Sequence, residues 1–264
     1  MSGPSDRRDD ALRRHRDAAA AAARLVGGRF ADLGTGFSVR TDELPLVYSL
    51  NIVDLDEVGS AEELASVCEA HQGDLGFRHA LVRGPSGPGI EGEMAAWGWR
   101  IERDVVMALE ADRFATRSVG HGTQEIAEGE MTALMSDWLR EEMPSIPAER
   151  LAEVLEYNRR LGRALQERRF GVLDDDGATP LAIAKSRARG GFGIVEDVFV
   201  AAPARGRGLG RAVVEAAVRS LLDAGCDVVS IVADADDWPQ LLYTSIGFAP
   251  IGIGRVFHLD FDAG

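Results

Sequence analysis

The stretch that decides the fold is VAAPARGRGLGR, residues 200–211. Three glycines stand on alternate residues, and arginines occupy positions 205, 207 and 211. Glycine lets the backbone approach a ligand closely, while arginines and free N–H groups at the start of a helix suit phosphate. Three interpretations are open: a loop that binds a nucleotide, a loop that binds coenzyme A, and a strand-to-helix turn without a ligand.

The segments around this stretch predict an alternation of strands and helices. Residues 193–200 are predicted as a strand, and 209–224 as a helix, because apolar residues recur there at helical spacing until Gly225. An Asp-Gly pair in DDDGATP predicts a hairpin before them. The other predicted elements of this half are helices at 128–141, 148–168 and 238–245, and strands at 170–173, 181–186, 228–233 and 256–261.

The two nucleotide motifs fail on specific residues. A dinucleotide fingerprint, G-x-G-x-x-G, that begins at Gly206 requires a glycine at position 211, where the chain has Arg211. A P-loop requires a lysine after its second glycine, and the stretch contains no lysine. The remaining candidates are the coenzyme A loop and the turn without a ligand.

The motif that remains is R-x-x-G-x-G at residues 205–210, after the strand VEDVFV. Together with DVVSIVADADDWPQLLYTSIGF at 227–248, it resembles the GCN5-related N-acetyltransferase (GNAT) superfamily over about residues 120–264. The resemblance implies an α/β fold with a mixed, mostly antiparallel sheet flanked by helices. It also implies acetyl-CoA as cosubstrate and direct acetyl transfer, in a ternary complex, to a primary amine of a small molecule or peptide. A non-catalytic acyl-CoA-binding regulator and a transferase for longer acyl chains are the alternatives.

The resemblance also assigns a set of residues to the coenzyme. A bulge in the strand before the turn opens a slot, where the pantetheine arm meets the main chain of Val198, Phe199 and Val200. Asp236 stands where the family often has asparagine beside the pantetheine. The turn that would hold the diphosphate consists of Arg205, Gly206, Arg207, Gly208, Leu209, Gly210 and Arg211.

Acetyl transfer to an amine requires a base, an oxyanion donor and an acid. The resemblance gives Tyr243 of LYTSIGF the role of general acid toward the coenzyme A thiolate. It gives a backbone N–H near Val198 the role of hydrogen-bond donor to the oxyanion. We expect the base to be Glu196, with Asp197 and Asp234 as alternatives.

The choice of Glu196 over Asp197 depends on strand geometry. Successive strand residues face opposite ways, so only one of these two carboxylates should point into the cleft. Ile194, Val198 and Val200 should then share the face of Glu196.

The N-terminal half has a related pattern without the glycine motif. Residues 92–109 resemble 240–259: a short helix, a glycine with an aromatic residue, then an apolar strand. We therefore predict two domains, 1–115, a degenerate GNAT-like copy with an N-terminal helix, and 116–264, the catalytic domain. We expect the second domain to bind coenzyme A without the first. The first domain would shape the acceptor pocket or a homodimer contact. Residues 84–89, GPSGPG, are predicted as a loop.

Composition limits the partners. The 264 residues carry a formal net charge of −14, which argues against nucleic acid and suits a cationic acceptor. No apolar run approaches the about 20 residues of a membrane span, so no membrane is expected. Cys68 and Cys226 form no disulfide framework, which indicates a cytoplasmic protein. The five histidines show no metal-ligand spacing, so we expect no metal site.

Overall fold

The protein was analysed as a computed structural model that describes residues 4–26, 28–114 and 122–261. The helices are α1 (Pro4–Leu25), α2 (Ala61–Gln72), α3 (Gly87–Ala96), α4 (Glu128–Glu142), α5 (Ala148–Ala164), α6 (Leu209–Asp223) and α7 (Pro239–Ile246). The strands are β1 (Arg29–Asp32), β2 (Gly36–Arg40), β3 (Ile52–Leu55), β4 (Phe77–Val82), β5 (Arg100–Glu110), β6 (Thr123–Glu125), β7 (Arg168–Leu173), β8 (Pro180–Arg189), β9 (Phe192–Val200), β10 (Val228–Asp234) and β11 (Ala249–Asp260). Within these ranges, no helix has the length and apolarity needed to cross a membrane.

The strands of the described residues form one sheet of eleven strands, in the order β1-β2-β3-β4-β11-β5-β10-β9-β8-β7-β6. Its neighbours are antiparallel except for β3 with β4 and β9 with β10. Helices flank the sheet, so the predicted fold, a mixed and mostly antiparallel sheet between helices, is confirmed. The predicted loop at 84–89 is wrong in part, because α3 begins at Gly87 with a proline in its first turn.

The two halves of the chain share the centre of this sheet. Strand β5, from the first half, lies between β10 and β11 and pairs antiparallel with both. In turn, β11 lies between β4 and β5. Val105, Met107 and Leu109 of β5 are buried in the same core as α6. The division near residue 115 stays a prediction, but coenzyme binding by 116–264 alone would require that half to fold without its central strand.

The sheet has two covered faces, which we name after one helix each. On the α6 face, α6 and α7 pack against residues such as Val195, Ile231 and Met107. On the α1 face, α1 crosses β11, β10 and β9. Leu12 fits against Gly252, where any Cβ would come within 3.0 Å of the leucine. Ala18 packs beside Ile194.

Helix α1 is tied to the sheet by a buried polar contact as well as by its alanines. His15 Nδ1 lies 3.1 Å from Ser230 Oγ of β10. Burial lowers the pKa of His15 to about 3, so the ring is neutral at physiological pH. The C-terminal end of α1 then packs against α5, which extends the cover of the α1 face. The helix predicted in the first 28 residues is therefore part of the cover over β9 and β10.

Candidate functional site

A β-bulge interrupts β9 at Asp197. On one side of it Ile183 of β8 pairs with Phe199, and on the other Lys185 pairs with Glu196. Two residues of β9 therefore face one residue of β8. Asp197 has φ 51°, a left-handed backbone conformation that is unusual for a residue other than glycine.

The bulge changes which side chains share a face. Glu196 and Asp197 both lie on the α1 face: Glu196 accepts from Arg187 Nη2 at 2.6 Å, and Asp197 Oδ2 lies 2.6 Å from Lys185 Nζ. Our expectation that only one carboxylate could point to that face is wrong, because the extra residue breaks the strict alternation. Our assignment of Val198 and Val200 to the face of Glu196 is also wrong, since both pack against the core of the α6 face.

Glu196 lies in a site that disfavours its charge. Its side chain keeps 35% of its surface exposed. Burial raises the pKa of the Glu196 carboxyl and the nearby Asp197 adds to the rise, while the Arg187 guanidinium and Lys185 oppose it. A carboxylate whose pKa is raised in this way is a stronger proton acceptor than a solvated one. Burial raises the pKa of Tyr157 of α5 to about 12, and the nearby charge of Glu196 adds to the rise.

Strands β9 and β10 separate directly after this point. Their parallel pairing runs from Phe192 with Val228 to Val195 with Ile231 and ends there, although both strands continue. On its other edge β9 stays paired to β8 at Glu196 and again at Phe199 and Val200, on either side of the bulge that contains Asp197 and Val198. The separation leaves a slot between two strands of the sheet, with Glu196 at its start.

The glycine-rich turn follows β9 and opens onto α6. Gly206 and Gly208 have φ values of 75° and 80°, in the left-handed region, and Gly208 is the residue before the first turn of the helix. The N–H groups of residues 208–211 donate to no acceptor among the described residues. They lie at the positive end of a 15-residue helix, which favours an anion there.

The arginines of the turn have different surroundings. Arg205 donates to the Glu141 carboxylate of α4 and, through Nε, to the Val200 carbonyl at 3.1 Å. Arg211 contacts Ser245 of α7 and Glu215 within its own helix. Arg207 is exposed and lines an open cavity together with Leu209. Arg207 is therefore the side chain of this turn that is most accessible to a phosphate, whereas Arg205 connects the turn to α4.

Tyr243 lies on α7, on the α6 face of the slot. Its side chain is almost fully buried and its ring centroid is 6.2 Å from that of Phe248. Burial raises the pKa of Tyr243 to about 12. Among the described residues, none forms a hydrogen bond to its hydroxyl. The group is therefore protonated at neutral pH and available as a donor.

The two remaining predicted residues lie at the far end of β10. Asp234 Oδ1 accepts from the backbone N–H of Asp236 at 2.7 Å. The Asp236 side chain is exposed, 3.5 Å from Arg103 Nη1. Asp234 is paired in the sheet with Asp104 of β5, whose pKa is raised to about 6 by burial and by the nearby carboxylates Glu102 and Asp234. Asp104 is a titrating group of the first half beside β10, and sequence reasoning missed it.

Sequence reasoning also missed the cations that hold the two carboxylates of β9. Lys185 and Arg187 are two residues apart on β8, so both lie on the α1 face of the sheet. Each forms an ion pair with one carboxylate of β9. The single lysine of an otherwise arginine-rich chain was a signal that could have drawn attention to position 185. In residues 4–26, 28–114 and 122–261, no three His, Cys, Asp or Glu side chains are grouped to hold a metal ion.

Comparison with known proteins gives a family match for part of the chain and a similar fold for most of it. Residues 132–248 match the model described as the acetyltransferase (GNAT) family. A search of curated protein sequences gave no match.

Three solved structures have a similar fold. A conserved protein of unknown function from Staphylococcus epidermidis is 14% identical, with a TM-score of 0.70 over 89% of this chain and 95% of its own. A GCN5-related N-acetyltransferase from Kribbella flavida is 17% identical, with a TM-score of 0.60 over 94% and 96%. Another from Sphaerobacter thermophilus is 18% identical, with a TM-score of 0.52 over 71% and 61%. At these identities the structures support the fold alone.

Proposed function

We propose that the chain transfers an acetyl group from acetyl-CoA to a primary amine, because its residues 132–248 match the acetyltransferase (GNAT) family model. The acceptor would be a small molecule or a peptide. The observation that carries the proposal is the slot between β9 and β10, which starts after Val195 and Ile231 and lies beside the free N–H groups of residues 208–211. A thioester with a diphosphate at one end of a narrow arm suits that combination.

The turn and the slot would bind different parts of the cosubstrate. The N–H groups of residues 208–211 and the exposed Arg207 would hold the diphosphate. The arm would lie along the edge of β9 that β10 leaves unpaired, next to Val198 and Val200. Gly206 and Gly208 keep side chains away from this path and adopt their left-handed conformations without strain.

Three groups of the chain would perform the proton transfers and charge stabilisation. Glu196 would take the proton of the acceptor amine, directly or through a water molecule, from the α1 face. The Val198 N–H, after the bulge, would donate to the thioester oxygen as negative charge develops there. Tyr243 would give a proton to the departing thiolate from the α6 face. Base and acid would then act from opposite faces of the sheet.

Transfer by direct attack agrees with the state of the two cysteines. Cys68 and Cys226 are both buried, and burial raises the pKa of each thiol, for Cys68 to about 12. A thiol with a raised pKa is a poor nucleophile at neutral pH. An acetyl-cysteine on the protein is therefore disfavoured, and we propose a ternary complex in which the amine attacks the thioester.

The test is acetyl transfer to a panel of primary amines, measured by release of free thiol. The panel should include polyamines, aminoglycosides, amino sugars and peptide N-termini, and the net charge of −14 favours the cationic ones. Turnover that requires Glu196 and Tyr243 would support the proposal. Tight acetyl-CoA binding without turnover for any amine would favour a non-catalytic acyl-CoA-binding regulator. Turnover only with longer acyl-CoA thioesters would favour a transferase for longer acyl chains.

A further inference from the structure

We infer that Lys185 is a positioning residue, which holds the bulge at Asp197 and through it the shape of the coenzyme slot; this inference rests on the proposed function. Lys185 is the only lysine of the chain. It lies on β8, opposite Glu196, and its side chain is only 4% exposed. Its ammonium group ends beneath α5, between three oxygen-bearing side chains.

The contacts of Lys185 converge on the bulge. Its Nζ lies 2.6 Å from Asp197 Oδ2 and 2.8 Å from Asn158 Oδ1 of α5. Glu167, at the start of β7, is 3.7 Å away. Neither Glu167 oxygen has a hydrogen bond to a described residue, and the charge of Lys185, with a smaller effect from Arg187, offsets this buried carboxylate. The nearby carboxylates raise the pKa of Lys185 despite its burial, which keeps the group charged.

The bulge needs such support because its backbone is strained. The left-handed conformation costs most residues other than glycine about 1–2 kcal/mol, and aspartate tolerates it where its side chain has a polar partner. Asp197 adopts that conformation with φ 51° in the middle of a strand. The Lys185–Asp197 contact is available only when the Asp197 side chain turns to the α1 face, which the bulge produces. The ion pair therefore favours the bulged form over a regular strand.

The bulge in turn sets two features that the proposed reaction uses, which are the direction of the Val198 N–H and the separation of β9 from β10. It stands one residue after Glu196, and the pairing of β9 with β10 ends at Val195, one residue before Glu196. A regular β9 would send the Asp197 side chain to the α6 face and would change the direction of the Val198 N–H. Lys185 touches neither the thioester nor the amine in this arrangement, so its effect passes through Asp197.

The test compares Lys185→Met with the double variant Lys185→Met/Asp197→Gly. Methionine removes the charge at similar length, and glycine adopts a left-handed φ without a partner. We expect Lys185→Met to weaken acetyl-CoA binding, measured by calorimetry, by about tenfold or more, and to lower kcat as well. The double variant should recover most of both losses. A merely stabilising lysine would change the melting temperature and show no rescue by glycine.

A matched control is Arg83→Met, which breaks the buried ion pair between Arg83, directly after β4, and Asp54 of β3. It should lower the melting temperature in a similar way and leave acetyl-CoA affinity unchanged. If Lys185→Met does not fold, Asp197→Val and Asp197→Gly replace it. Valine is disfavoured at φ 51° and should weaken binding, while glycine should not.

The inference alone would be overturned by wild-type-like affinity in a folded Lys185→Met, or by equal affinities of Asp197→Val and Asp197→Gly. A double variant no better than Lys185→Met would also contradict it. Wild-type protein that does not bind acetyl-CoA would contradict the proposed function itself, and the inference with it. The wild-type titration therefore separates the two failures.

Discussion

Val195 of β9 and Ile231 of β10 are the last paired residues of the parallel ladder between these strands. Both side chains are buried on the α6 face, so packing stabilises the pairing of the two strands up to these residues. Beyond it the strands diverge, the chain bulges at Asp197, and the glycine-rich turn leads into α6. The candidate site is therefore the place where the sheet opens, and the strongly packed pairs before it fix its position.

The first prediction concerns the turn, through Gly206→Val and Gly225→Val. Both glycines have left-handed φ values, 75° and 86°, and a Cβ at either would meet no atom within 4 Å. Each valine should therefore cost about 1–2 kcal/mol of stability from backbone strain. We expect Gly206→Val alone to weaken acetyl-CoA binding, by about tenfold or more, because it disturbs the turn that leads to the free N–H groups.

Gly225→Val is the matched control, since Gly225 lies at the opposite end of α6. Thermal denaturation should show similar losses for the two variants, and calorimetry should separate them. Equal acetyl-CoA affinities in the two folded proteins would contradict a role of the turn in binding.

The second prediction concerns the pH dependence of kcat/KM. Glu196 must be ionised to accept a proton, and burial raises its pKa above that of a free glutamate. Activity should therefore fall as the pH drops through this raised pKa. Arg187 lowers the pKa of Glu196, so Arg187→Met should raise it further and move the acid limb to higher pH.

Glu196→Gln serves as the reference for this profile. It should lower kcat by about 100-fold, in the range of a lost general base, and remove the acid limb. An acid limb at the same pH in wild type and Arg187→Met would show that another group, with Asp197 and Asp234 the first candidates, is the base.

The third prediction concerns Tyr243. Because burial raises the pKa of Tyr243 to about 12, the hydroxyl stays protonated at neutral and mildly alkaline pH. Tyr243→Phe should lower kcat by about 100-fold and leave acetyl-CoA affinity nearly unchanged. Steady-state kinetics and calorimetry measure the two quantities separately.

Tyr48→Phe is a control for the loss of a tyrosine hydroxyl outside the site. Tyr48 donates to Asp260 at 2.6 Å, and its ring packs against Phe77 of β4 and His258 of β11, so its hydroxyl should affect stability and not kcat. A Tyr243→Phe enzyme with wild-type kcat would remove Tyr243 from the role of acid.

The fourth prediction concerns the shared sheet. Without residues 1–115, the fragment 116–264 loses β5 and with it the buried side chains of Val105, Met107 and Leu109. Each contributes about 1.5–3 kcal/mol by burial, and the sum is comparable with the about 5–15 kcal/mol that stabilises a whole domain. We expect no cooperative thermal transition in the fragment by circular dichroism. Coexpression of 1–115 should restore a folded complex, whereas a fragment that unfolds cooperatively by itself would contradict this.

Much of the second half could be predicted because its signals are local. The helix from Leu209 to Asp223 follows from apolar spacing and from glycines at both ends. The strand before it and the turn between them follow from the R-x-x-G-x-G motif and its neighbours. Such features depend on residues close in sequence, which is why periodicity and glycine positions describe them well.

The features that sequence reasoning missed depend on distant contacts. The place of β5 between β10 and β11 results from packing across the whole sheet, and no local pattern distinguishes it from another apolar strand. The Asp197 side chain lies on the α1 face because Asp197 itself has a left-handed backbone conformation, and no glycine at this position indicates that conformation in the sequence. The ion pair with Lys185 favours this conformation, and that partner is twelve residues away in the sequence.

The most direct test of the central claim is calorimetric titration of acetyl-CoA into the wild-type protein, with pantetheine, which lacks the diphosphate and the adenosine nucleotide, as the comparison ligand. We predict a saturable one-to-one isotherm for acetyl-CoA and binding weaker by about tenfold or more for pantetheine, because the N–H groups of residues 208–211 and Arg207 would then have no diphosphate to bind. No saturable heat with acetyl-CoA, or equal affinity for the two ligands, would contradict the claim.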